Sequence, residues 1–111
     1  MNSFNASIKN ATQLGRFAAG VNEERRNGSA VIGESDSHHP GDDIGKLVLE
    51  SYRDNRVGEM KAIITAYQDG YNSRARELGT DYLEWPQIQK GIRLSLNNAT
   101  PEEETGIVAA M

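Results

Sequence analysis

The densest group of chemistry-bearing side chains is GESDSHHPGDD, residues 33 to 43, where His38 and His39 stand among Glu34, Asp36, Asp42 and Asp43. Imidazoles and carboxylates are the ligand types that zinc or nickel would take. The spacing works against such a site. Side chains of adjacent residues in an extended chain point to opposite sides, and Pro40-Gly41 directly afterwards sets a turn. An ordered metal site needs ligands held by packing and by outer hydrogen bonds, and this stretch brings little apolar material to provide them. It reads as a solvated acidic tether, and no metal or cofactor is expected.

Other catalytic chemistry lacks its parts. General acid–base work needs a titratable group of tuned pKa in a pocket, and both histidines lie on the tether. There is no Ser-His-Asp constellation and no glycine-rich phosphate loop. Glu59, Asp69 and Glu77 lie among lysines and arginines, Lys61, Arg74 and Arg76 included, in the manner of a charged, solvated helix face. The chain therefore reads as non-enzymatic. Tyr67 and Tyr71, one helical turn apart and followed by Arg74 and Arg76, could stack bases and hold phosphates, with Arg53, Arg56 and Lys61 adding charge. The same tyrosines fall on an apolar seam, so core packing is the stronger reading, with their hydroxyls at the rim.

Size and composition bound the rest. A chain of 111 residues is one domain at most. Apolar residues make up 37% of the chain and charged residues 25%. Such a chain builds only a modest core, and self-association or a partner would relieve its marginal stability. The absence of cysteine rules out disulfides and thiolate sites. The opening MNSFNASIKN lacks a basic end followed by an apolar run, and no stretch approaches the roughly 20 apolar residues of a membrane span. A cytoplasmic protein with no membrane contact is the expectation. The Asn-x-Ser/Thr triplets at Asn5, Asn10, Asn27 and Asn98 accordingly read as turn and cap chemistry rather than glycan acceptors. The net charge of −4 is concentrated in the tether and the last third, which argues against a nucleic-acid partner and for a basic protein partner.

Four elements would position these residues. Phe4, Ile8, Ala11, Leu14, Ala18 and Val21, with Phe17 beside them, follow helical spacing, capped by Asn2 or Ser3, in an N-terminal segment of residues 1 to 26. Residues 27 to 42 form a flexible acidic linker with only Ala30, Val31 and Ile32 as apolar content. Residues 43 to 99 form a helical hairpin. A long helix opens at Asp42 or Asp43 and stops at Gly79, with a coiled-coil-like seam at Val57, Met60, Ile64, Tyr67, Tyr71 and Leu78 interrupted only by Arg74. Ile44, Leu47, Val48 and Tyr52 fall on nearly the opposite side, so this helix either meets different neighbours at its two ends or bends near Asp54, Asn55 and Gly58. A partner helix from about Pro86 to Asn97 places Ile88, Ile92, Leu96 and Ala99 on one face, with Tyr82, Leu83 and Trp85 at the corner. In residues 100 to 111, Thr100, Pro101 and Glu103 spell a capping box for a short helix whose Ile107, Val108 and Met111 have no obvious cover.

The expected fold is thus all-α: a small helical hairpin with a tethered N-terminal helix and a short C-terminal helix. The expected function is protein binding by a helical adaptor or inhibitor that occludes a surface, acting as a homo-oligomer. Val57, Met60, Ile64, Tyr67, Tyr71, Arg74, Trp85, Ile88 and Ile92 would hold the hairpin and supply the partner or oligomer contact. The alternative is a structural subunit of a larger assembly, such as a virion or a secretion apparatus, whose arms order against neighbours.

Overall fold

The computed structural model describes residues 3–26, 41 and 43–111. The acidic stretch with His38 and His39, and the rest of the expected linker before Gly41, lie outside the described residues. The described chain is all-α, with helices α1 (Ser3–Arg26), α2 (Gly45–Arg53), α3 (Val57–Leu78), α4 (Trp85–Leu94) and α5 (Pro101–Ala110).

The expected helix from Asp42 or Asp43 to Leu78 is two helices, the bent alternative taken to completion. Asn55 adopts a left-handed conformation with φ 62°. Asn tolerates this region better than most residues, and no right-handed helix propagates through it. The break re-aims the apolar positions. Val48 and Leu49 of α2 and Met60, Ile63, Ile64 and Tyr67 of α3 all reach one core, which an unbroken helical period would not allow. The N-cap of α2 is Ile44 rather than an aspartate, and its side chain, fully buried, serves the core instead.

The other boundaries follow local chemistry. Gly79 ends α3 in the left-handed conformation with φ 71°. The amides of Gly79 and Thr80 return to the carbonyls of Arg76 and Ala75 as a Schellman closure. Helix α4 begins and ends earlier than its apolar pattern indicated, because Glu84 and Gln87 form a capping box and Ser95 stops the helix by bonding the Ile92 carbonyl. Thr100 and Glu103 make the expected box at α5: the Glu103 amide donates to Thr100 Oγ1 at 3.2 Å, and the Thr100 amide donates to Glu103 Oε1 at 2.9 Å.

Helix α1 extends through the charged run to Arg26 and packs along α3, so the N-terminal helix rests on its own chain. The two helices run in the same sense, with Ser7 near the α2–α3 elbow and Arg16 reaching Ser73 and Glu77. They meet at Gly15 and Gly70. A Cβ at Gly15 would run into the Tyr67 carbonyl, and one at Gly70 into the Thr12 carbonyl, so this backbone-to-backbone approach exists only because both positions lack a side chain. Buried Ala11, Ala18 and Ala19 continue the close contact along α1.

The core gathers Ile44 and Val48 from the α2 region, Met60, Ile63, Ile64 and Tyr67 from α3, Ile88 and Ile92 from α4, and Ile107 from α5, each at most 1% exposed. The hairpin turn between α3 and α4 is pinned through Leu83: its amide donates to Asn72 Oδ1 at 2.6 Å and its carbonyl accepts from Gln68 Nε2 at 3.0 Å. The backbone of α4 lies closer to α2 and α5 than to α3, and α4 meets the seam through Ile88 and Ile92. Arg53 clasps α5 from the end of α2, bonding Glu103 through two nitrogens and the Asn98 carbonyl through one of them.

Candidate protein-contact surface

The seam residues expected to carry contacts are largely enclosed. Met60, Ile64, Tyr67, Ile88 and Ile92 are fully buried and Tyr71 nearly so, while Val57, Arg74 and Trp85 remain partly accessible. A partner could reach only these last three without opening the fold. Burial also fixes the role of the tyrosines, because neither ring offers a face to a stacked base. The Tyr67 hydroxyl does not reach the rim as expected. It lies inside the protein and accepts a hydrogen bond from the buried Gly41 amide at 2.9 Å, fastening Gly41 into the slot beside Ile88. Gly41 holds φ 104° there, where a side chain would be strained and would press on the Ile88 backbone.

The exposed counterpart lies on α1. Phe17 is 69% exposed, the most exposed large apolar side chain among the described residues. It faces away from α3 because the face that packs there is the one carrying Ala11, Gly15, Ala18 and Ala19. At 3.6 residues per turn Phe17 falls on nearly the opposite side. With Gly20 and half-buried Val21 it lines a shallow depression of about 370 Å³ flanked by Arg16 and Arg74. The arginines converge on one carboxylate: Arg16 Nη2 and Arg74 Nη1 donate to Glu77 Oε1 at 3.1 and 2.8 Å, and Arg16 Nη1 also donates to Ser73 Oγ at 3.3 Å. Those two charge-assisted bonds, from Arg74 first and Arg16 second, hold the Glu77 carboxyl below the usual carboxylate range. Among the described residues, two cations thus share one carboxylate at the rim of the depression.

Sequence reasoning placed Phe17 beside the buried stripe and missed this surface. The signal that would have found it is the repeat of small residues Ala11, Gly15 and Ala19 at intervals of four, which marks the face of close helix approach and so turns Phe17 outward.

A second depression, of about 480 Å³, lies at the other end of the fold, lined by Arg93, Glu104, Thr105, Val108 and Ala109. Leu94, next to Arg93, is 52% exposed. Among the described residues no three histidine, aspartate or glutamate side chains converge as metal ligands, and no helix is long and apolar enough to cross a membrane. Comparison with known protein families, curated proteins and solved structures gives no match.

Proposed function

We propose that this chain is a non-enzymatic helical protein-binding module, an adaptor or inhibitor that works by covering a surface. The observation that carries the reading is Phe17: an aromatic ring left in water on a helix whose opposite face is fully engaged, beside a depression with a charged rim. Single exposed apolar residues are ordinary. An aromatic anchor with flanking arginines is the composition that concentrates binding energy at protein interfaces. Phe17 lies outside the core that holds the fold, so removing the ring separates binding from folding.

The test is affinity capture from the protein's own cells with tagged wild type and Phe17→Gln, followed by mass spectrometry. The expected result is a partner held by wild type and lost from a variant of unchanged helicity. Equal capture by both proteins would sink the reading.

A structural subunit of a larger assembly is the second reading, favoured by large apolar side chains exposed at separate places on the fold, Phe17 on α1 and Leu94 at the end of α4.

A further inference from the structure

We infer that α5 is a strap that opens and closes as a unit of its own, and that the Arg53–Glu103 ion pair is the catch that holds it shut. Nothing in this depends on the Phe17 face.

Helix α5 is embedded far less than its neighbours of like length. In nine residues α2 buries Gly45, Val48, Leu49 and Ser51, and in ten residues α4 buries Ile88, Gly91 and Ile92. In ten residues α5 buries only Ile107. Val108, Ala110 and Met111 are half-buried, while Pro101, Glu102, Thr105 and Ala109 face water. A helix of this length is marginal in water without packing. One enclosed side chain therefore stands between the docked helix and its release, which is the condition for local opening well below the cost of unfolding the whole.

What fixes α5 besides Ile107 converges on one carboxylate. Glu103 Oε1 accepts from the Thr100 amide at 2.9 Å, the bond that helps to start the helix. Arg53 reaches the same group, with Nε donating to Oε2 at 2.8 Å and Nη2 to Oε1 at 3.0 Å. The same Nη2 donates to the Asn98 carbonyl at 2.9 Å, so one guanidinium holds both the first turn of α5 and the segment leading into it. The Arg53 and Glu103 side chains are 46% and 22% exposed, so the pair can part without any core side chain moving first. No second ion pair backs it up: Arg93 of α4 and Glu104 of α5 line one hollow but form none among the described residues.

The strap covers something specific. Gly106 rests on the Tyr52 side chain, where a Cβ would run into the hydroxyl, and Ile107 enters the common core. The neighbours of α5 are α2 and α4. Release therefore uncovers Tyr52 and the core behind Ile107 while the other described helices stay packed. Parting of one exposed charge pair is thereby converted into a new apolar surface.

Native-state hydrogen exchange of the full chain, read amide by amide in increasing urea below the unfolding transition, tests this. The Ile107 and Val108 amides are expected to exchange faster than that of Ile64 and with a smaller urea slope, because a local opening exposes less surface than global unfolding. Gly70→Ala disturbs the contact with Thr12 on α1. It should accelerate Ile64 and leave the α5 amides unchanged, whereas Glu103→Gln should accelerate the α5 amides by about two- to fivefold, as befits an exposed pair. Exchange of Ile107 and Val108 with the urea slope of Ile64, or their equal acceleration with Ile64 in Gly70→Ala, overturns the separate unit. Where Gly70→Ala does not fold, the urea slopes of wild type decide the point alone. Separate opening that Glu103→Gln leaves unchanged overturns the catch.

Discussion

Gly15 on α1 and Gly70 on α3 meet backbone to backbone across the helix pair: a Cβ on Gly15 would enter the Tyr67 carbonyl, and one on Gly70 the Thr12 carbonyl. A glycine inside a helix costs roughly 1 kcal/mol relative to alanine. The structure shows what offsets that cost at both positions, namely two long helices brought close enough for backbone atoms to touch along a seam of alanines.

Gly15→Ala and Gly70→Ala are therefore expected to destabilise despite their better helix propensity. Overpacking of a filled contact costs about 1–3 kcal/mol, and the obstacles here are backbone carbonyls, which cannot rotate aside as a side chain would. Gly20→Ala on the same helix as Gly15 is the control, because nothing lies within 4 Å of its Cβ position. That variant should gain roughly 0.5–1 kcal/mol. Urea denaturation of the three variants gives the comparison. Stabilisation by Gly70→Ala would mean that the close approach does not exist.

Tyr67→Phe removes the buried hydroxyl that accepts a hydrogen bond from the Gly41 amide. The ring stays in the core, but the Gly41 amide loses its acceptor in a place from which water is excluded. An orphaned buried donor costs about 1–3 kcal/mol, so a loss in that range is expected by thermal or chemical unfolding. Amide exchange at Gly41 should accelerate more than exchange at Ile64, because the local anchor is lost before the core.

Much of this was legible in the sequence where a local rule operates. Gly79, Thr100 with Glu103, and the spacing of Met60, Ile64, Tyr67 and Tyr71 each express chemistry confined to one turn or one helix face, and each element stands where those residues indicate. The α2–α3 break was visible only as a conflict between two apolar faces, because Asn55 in the left-handed region is a choice made by tertiary packing rather than by its neighbours. The α1–α3 contact was hidden for a related reason. Hydrophobic periodicity weights large side chains, and this contact is built from Gly15, Gly70 and alanines. The outward Phe17 follows from that contact, and the inward Tyr67 hydroxyl from the way Gly41 docks beside α4. Neither could be placed before the helix packing was known.

Arg53 and Glu103 make the acid limb of stability specific. The hydrogen bonds from the Arg53 guanidinium, and next that from the Thr100 amide, hold the Glu103 carboxyl down at about 2, well below an unperturbed glutamate. A carboxyl depressed on folding contributes stability that is fully present above its unfolded value and is lost as pH falls towards the folded one. Unfolding midpoints should therefore decline between about pH 5 and about pH 2. Glu103→Gln should lower stability at neutral pH and flatten this decline, since the amide keeps an acceptor but has no charge to lose. Parallel acid limbs in the two proteins would remove the clasp from the account.

Asn55 is the point at which one long helix becomes two, and its substitution tests whether the break is imposed or merely permitted. The residue is held at φ 62°. A β-branched side chain there collides with its own backbone, a penalty of roughly 1–2 kcal/mol. Glycine carries no such penalty, but it gives the unfolded chain more freedom to lose. Asn55→Gly should therefore change stability by less than about 1 kcal/mol, and Asn55→Val should cost about 1–2 kcal/mol. Relief of the strain in the Val variant by straightening would fuse α2 to α3 and withdraw Val48 and Leu49 from the core that α3 lines. That withdrawal forfeits burial of two aliphatic side chains, each worth about 1.5–3 kcal/mol, which exceeds the strain it would remove. The break should accordingly persist in Asn55→Val, with unchanged helical content by circular dichroism and a lower unfolding midpoint. A gain in helicity on this substitution would show that the elbow is held by Asn55 alone and not by the apolar residues on either side of it.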